Sequence, residues 1–146
     1  MSYRITGTGS CIPDIAKKNS DFLKSKFLDT DGVKFQSSNS EIINKFNSIT
    51  GIYERRYASD EINCSDLAVV AAGLAINDSK LDQETLDYII VAHNTGDISC
   101  SSGQVDTLPS VASKVKAKLK IKNPNCVAYD IISVSYTHLR AHETRG

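Results

Sequence analysis

His93 closes an apolar run, Leu86-Asp-Tyr-Ile-Ile-Val-Ala92. A histidine at a strand end is placed to act as a general base, but no nucleophile stands beside it, so a structural role is the simpler expectation. Glu54-Arg55-Arg56 offers two guanidinium groups that can hold phosphate or carboxylate through paired hydrogen bonds. An internal ion pair with Glu54 or Asp60 is the plainer expectation for them. His138 and His142 stand four apart, a spacing that can hold zinc on one helix face, with Glu143 as a further oxygen ligand. No other ligand is tied to that pair by spacing, so no metal is expected. Cys11, Cys64, Cys100 and Cys126 are too widely separated for a metal motif. They read as four reduced thiols, several of them buried. Gly7-Thr-Gly9 has the look of a phosphate-binding turn, but Ile12 stands where a third glycine belongs and Pro13 disrupts the helix start. A tight structural turn is expected there. No phosphate-binding Gly-x-x-x-x-Gly-Lys-Ser/Thr loop is present.

The elements that would position these residues follow from periodicity and caps. Residues 3–10 read as a short strand running into a glycine turn. Ser38-Asn-Ser-Glu41 is a capping box ahead of Ile42, Ile43 and Phe46, which predicts a helix over 39–48. Ser65 is the expected N-cap of a second helix, with Asp66 in its first turn and Asp78-Ser79 at its end. Residues 86–92 and 126–132 have the near-continuous apolar character of parallel strands covered on both faces. Between them, 94–107 reads as a loop, and Pro109 opens a helix over 109–120. Lys114, Lys116, Lys118, Lys120 and Lys122 alternate with other residues, a strand-like period. The proline and the good helix formers favour a helix with a solvated lysine face. Strand, helix and strand make a βαβ unit, and the fold class is α/β with a parallel-rich sheet.

The chain has 146 residues, 17 basic and 17 acidic, and a formal charge of zero. That balance excludes a broad electrostatic grip on nucleic acid or an anionic membrane. Hydrophobic residues make up 40%, enough for a globular core. Met-Ser-Tyr-Arg-Ile-Thr-Gly lacks a signal-peptide pattern. The longest apolar run, over 67–76, is too short to span a bilayer. A cytoplasmic protein is expected. After Ile132 the character changes: Val134 to Gly146 holds two of the three histidines and offers no apolar stripe to pack on the strand just ended. It looks like translated adapter sequence, so 134–146 reads as a non-native tail following a domain over 1–133.

Six pieces in order then carry a resemblance: Ile5-Thr-Gly-Thr-Gly-Ser10 with Pro13, Thr50-Gly-Ile-x-Glu-Arg-Arg56, Ser65-Asp-Leu-Ala68, Leu86–Ala92, Pro109-Ser-Val-Ala112 and Val127-Ala-Tyr-Asp-Ile131. Together they resemble the N-terminal part of β-ketoacyl-ACP synthase III, in the thiolase-like family. The resemblance implies a mixed, parallel-rich sheet with packed helices, as the incomplete first half of a two-half homodimer subunit. It implies a condensation of acyl-CoA with malonyl-ACP in fatty-acid biosynthesis, on a nucleophilic cysteine and with no cofactor. Hydroxymethylglutaryl-CoA synthase and polyketide-type condensing enzymes are related alternatives; a non-catalytic α/β binding module using the 94–107 loop is the alternative of another class. The family's nucleophile lies five residues after the aspartate matching Asp130, which here is Ser135. A serine there lacks a thiolate form, so the chain as written is expected to be inactive. Lys45 and Ile49 stand where the family stacks the CoA adenine on tryptophan and arginine, and neither repeats that contact. Leu108 matches the position that reaches into the partner subunit's acyl pocket.

Overall fold

The computed structural model describes residues 3–132. The chain divides into two compact units, one of Ile12–Ser59 and one made of the remainder. Among the described residues, sheet structure comes as three two-stranded pieces, one parallel and two antiparallel. No helix among the described residues is long and apolar enough to cross a membrane.

The Ile12–Ser59 unit pairs β1 (Ile15–Lys18) with β2 (Glu54–Tyr57) antiparallel, Ile15 opposite Tyr57. A 3₁₀ turn over Asn19–Lys24 follows β1, in a stretch whose polar mixture gave no strand signal. Helix α1 (Asn39–Thr50) begins at the expected box: Glu41 N–H donates to Ser38 Oγ, and Ser38 N–H donates back to Glu41 at 2.8 Å. It ends at Gly51, which takes a left-handed conformation (φ 66°) that few other residues tolerate. Phe27 and Phe46 meet edge to face at 5.6 Å. Asn39 Nδ2 donates to the carbonyls of Leu23 and Ser25, which fastens α1 to the segment before it.

In the second unit, α2 spans Cys64–Ser79. Its N-cap is Asn63, not Ser65: Asn63 and Asp66 form the reciprocal box, and Asn63 N–H donates to Asp66 Oδ2 at 2.9 Å. Ser65 sits instead in the first turn, buried, with its N–H committed to Asp97. Residues 3–10 form no strand. Gly7 and Gly9 lie so close to α2 that a Cβ on Gly9 would come within 2.8 Å of Leu74 Cβ, and Thr8 N–H donates to Asp78 Oδ2 at 2.9 Å. The glycines therefore serve close approach to a helix rather than a turn.

Strands β3 (Tyr88–His93) and β6 (Val127–Ile132) pair parallel, Tyr88 opposite Val127 and His93 opposite Ile132. Between them the 94–107 segment folds a small hairpin, β4 (Asp97–Ile98) with β5 (Val105–Asp106), where a loop is expected. Helix α3 (Val111–Lys118) follows, capped by Ser110, whose Oγ accepts from Ser113 N–H at 3.1 Å. Pro109 thus precedes the cap. Val111, Ala112 and Val115 are buried with Ile121 and Cys126, and this is where the core sits. One face of the β3–β6 pair is covered. The other leaves Tyr88, Ile90, Val127 and Tyr129 between 41% and 62% exposed. The sequence pattern predicts cover on both faces; the described residues supply it on one.

Three of the five lysines make internal bonds, Lys118 while remaining exposed. Lys114 meets Asp97 and Asp106, and Lys118 meets Asp66 and Ser65. Lys116 Nζ donates to the carbonyls of Asn123 and Cys126 at 2.8 and 2.6 Å.

Candidate functional site

Two side chains meet at the C-terminal ends of β3 and β6, the end at which parallel sheets bind ligands. His93 Nε2 donates to Asp130 Oδ2 at 3.0 Å. The same carboxylate accepts the N–H groups of Val111 and Ala112, each at 2.7 Å, at the start of α3. An aspartate there is favoured by the unpaired amides and by the helix dipole. Burial pushes the Asp130 carboxyl up, but the His93 hydrogen bond and the two amides outweigh it and hold its pKa below the ordinary value. The other ring nitrogen, His93 Nδ1, is buried with no partner among the described residues. Gly96 closes on this edge of the ring at φ 71°. A Cβ on it would lie 3.5 Å from His93 Cε1.

A cavity of about 290 Å³ opens here, lined by His93, Asp130, Thr95, Gly96, Asp106 and Thr107 among others. Beside it lies a second polar cluster. Asp97 Oδ1 accepts Ser65 N–H at 2.8 Å, and its Oδ2 meets Lys114 Nζ at 3.0 Å. Burial raises the Asp97 pKa; the Ser65 amide and Lys114 overcome that and leave it lowered.

The histidine is thus tied to a carboxylate at the wall of the cavity. Arg56 pairs with Glu54 at 3.2 Å and Arg55 donates to Asn19 Oδ1, so the internal reading holds for that motif. All four cysteines are free thiols, with Cys126 buried and Cys100 exposed. Burial and the charges of Asp97 and Asp130 push the Cys64 thiol up. Hydrogen bonding to Asp60 and its charge do the same at Cys100. Neither is an activated nucleophile. No metal-ligand cluster occurs among the described residues. Leu108 is 83% exposed, and Lys45 and Ile49 lie exposed on α1. Ser135, His138, His142 and Glu143 fall outside the described residues. Sequence reasoning missed Asp130 and Asp97 as anchors. The available signal was Asp130 itself, a charge inside an apolar strand that must be paired to be buried.

These elements make a thiolase-like α/β fold. A 3-oxoacyl-[acyl-carrier-protein] synthase III from Aquifex aeolicus aligns with a TM-score of 0.68 and 27% identity, over 97% of this chain and 38% of that one. Xanthomonas campestris OleA aligns at TM-score 0.66 and 19% identity, over 95% and 37%, a likeness of fold alone. In sequence the chain is related to β-ketoacyl-[acyl-carrier-protein] synthase III. The Vibrio cholerae protein of that name is 34% identical over 131 residues, and that of Ehrlichia ruminantium (strain Welgevonden) 35% over 133. Those matches cover 90% and 91% of this chain, and the chain spans about a third of each relative, 34%. No protein-family profile matches it.

Proposed function

We propose that residues 1–133 are the N-terminal part of a β-ketoacyl-ACP synthase III-type condensing enzyme. In the whole protein a cysteine thiolate attacks an acyl-CoA carbonyl and expels the CoA thiol. Malonyl-ACP then loses CO₂, and its carbanion attacks the enzyme thioester and releases the cysteine. The observation that carries this reading is the 34–35% identity to such synthases across nine-tenths of the chain. The geometry agrees with it: Asp130 is anchored by three donors at the end of β6, five residues before the position at which the resemblance puts the nucleophile. Ser135 occupies that position, and 134–146 is a non-native tail, so this chain does not catalyse the condensation. The enzyme is a cytoplasmic homodimer in which Leu108 reaches the partner's acyl pocket; neither nucleic acid nor membrane is a partner. Balanced charge supports that last point.

Sequencing the source DNA downstream of Ser133 and expressing the full reading frame tests the proposal. Incubation with isotopically heavy acyl-CoA should place a heavy acyl group on a cysteine after Ile132, read by mass spectrometry. No adduct on any cysteine would favour instead a binding module built on the cavity beside the 94–107 segment. An authentic histidine-bearing ending would overturn the reading of 134–146 as a non-native tail.

A further inference from the structure

One ammonium group holds both strands of the 97–106 hairpin. Lys114 Nζ lies 3.0 Å from Asp97 Oδ2 on β4, and 2.8 Å from Oδ2 and 3.3 Å from the carbonyl oxygen of Asp106 on β5. Asp97 is tied in turn to the start of α2 through Ser65 N–H. Among the described residues the other ties of the hairpin are few. Its ladder is two residue pairs long, and Ile98 and Val105 are 42% and 45% exposed. Its own turn is closed mostly on itself: Ser99 N–H donates to Gln104 O, and Gly103 N–H to Ser99 O, with the exposed Cys100 thiol bonding Asp60 outside it. The hairpin can therefore move as a unit. Its base walls the cavity that holds His93, with Thr95 and Gly96 on one side and Val105 to Thr107 on the other. Gly96, at φ 71°, is a backbone position from which such a unit can pivot.

We propose that the Asp97–Asp106 hairpin is a hinged flap on the His93 cavity, latched by Lys114. This does not depend on the condensing reading above. The two arms of the latch differ. The Asp97 carboxylate is 8% exposed and the Asp106 carboxylate 59%, so water and salt weaken the Asp106 arm first. The remaining charged groups at this corner, Asp66 of α2 and Lys118 of α3, pair with each other at 2.6 Å and stay engaged when Asp106 lets go. Opening exposes the ring of His93, which is otherwise nine-tenths buried.

His93 is the reporter. Its carbethoxylation by diethyl pyrocarbonate can be followed by peptide mass spectrometry on the full 146-residue chain, normalised to a free histidine peptide in the same reaction. Lys114→Met should speed His93 modification about tenfold, the scale of one partly buried ion pair and a local opening. Lys114→Arg should stay within about twofold of the parent, because it restores the charge. Amide exchange in Tyr88–His93 and Val127–Ile132 should not change in any variant. Should Lys114→Met fail to fold, Asp106→Asn removes only the exposed arm and should give an increase of about threefold, and salt should speed the parent more than this variant. An unchanged His93 rate in a folded variant overturns the latch. So does a rate that rises only together with exchange in β3 and β6, because that is global unfolding.

Discussion

Asp130 binds three donors with one carboxylate, and its energetics follow from that crowding. Asp130→Asn removes a charge from two helix amides and from the imidazole, and should cost about 3 kcal/mol in urea unfolding. The pH dependence has a definite sign. The folded pKa values of Asp130, Asp97 and Asp66 are lowered. Their contribution is complete above the unfolded value, about 3.9, and is lost as pH falls through the depressed folded values. Lys114 is raised, chiefly by its bond to Asp106. Its contribution is present below the unfolded value of about 10.4 and is lost as pH rises through the folded one. A urea titration series should therefore show a plateau between those limits and an acid limb below about pH 4, shallower in Asp130→Asn. At this scale the sequence singled out His93 but not its partner. Asp130 and His93 stand far apart in the chain, and only the parallel register of β3 and β6 brings their ends together.

Helix α1 was legible because its signals are local: the Ser38–Glu41 box and Gly51 lie within one stretch of chain. Ser38→Ala should destabilise the Ile12–Ser59 unit by about 1 kcal/mol, measured by thermal unfolding followed by circular dichroism. Helix α2 was legible in extent but not in cap. Ser65 and Asn63 are both good N-cap residues, and the choice fell to Asp97, which claims the Ser65 amide from thirty-two residues away. The lysine row of α3 misled for a similar reason. Its alternation suggested a strand and the helix reading a solvated face, but residues 114 and 118 share a side of the helix while 116 points elsewhere. Each finds a fixed acceptor that only tertiary structure supplies. Lys116→Met should cost about 1–2 kcal/mol in the same measurement, by stranding two carbonyls. Strand β1 and the β4–β5 hairpin left no pattern because each is too short to display a period.

At the scale of the whole molecule, the side of the β3–β6 pair that the described residues leave uncovered stands out. Tyr88 and Tyr129 stack edge to face at 6.5 Å there, beside Ile90 and Val127. A contiguous apolar patch of this kind promotes association. Sedimentation of the 146-residue chain should show concentration-dependent self-association, and Tyr129→Glu should reduce it. A monomer at all concentrations would count against the patch as the cause. The strand pattern did announce that this side is built to be covered, since Tyr88-Ile-Ile-Val-Ala92 is apolar at every position. What the sequence could not express is which part of a chain does the covering.

The grip of Lys116 on Asn123 and Cys126 also constrains how this region can vary. An extra residue anywhere in 119–125 would push the Cys126 carbonyl along by up to about 3.5 Å, past the span of one amine. Related chains should therefore trade amino acids freely in that connection while keeping its length, so that a single side chain acts as a ruler against insertions and deletions.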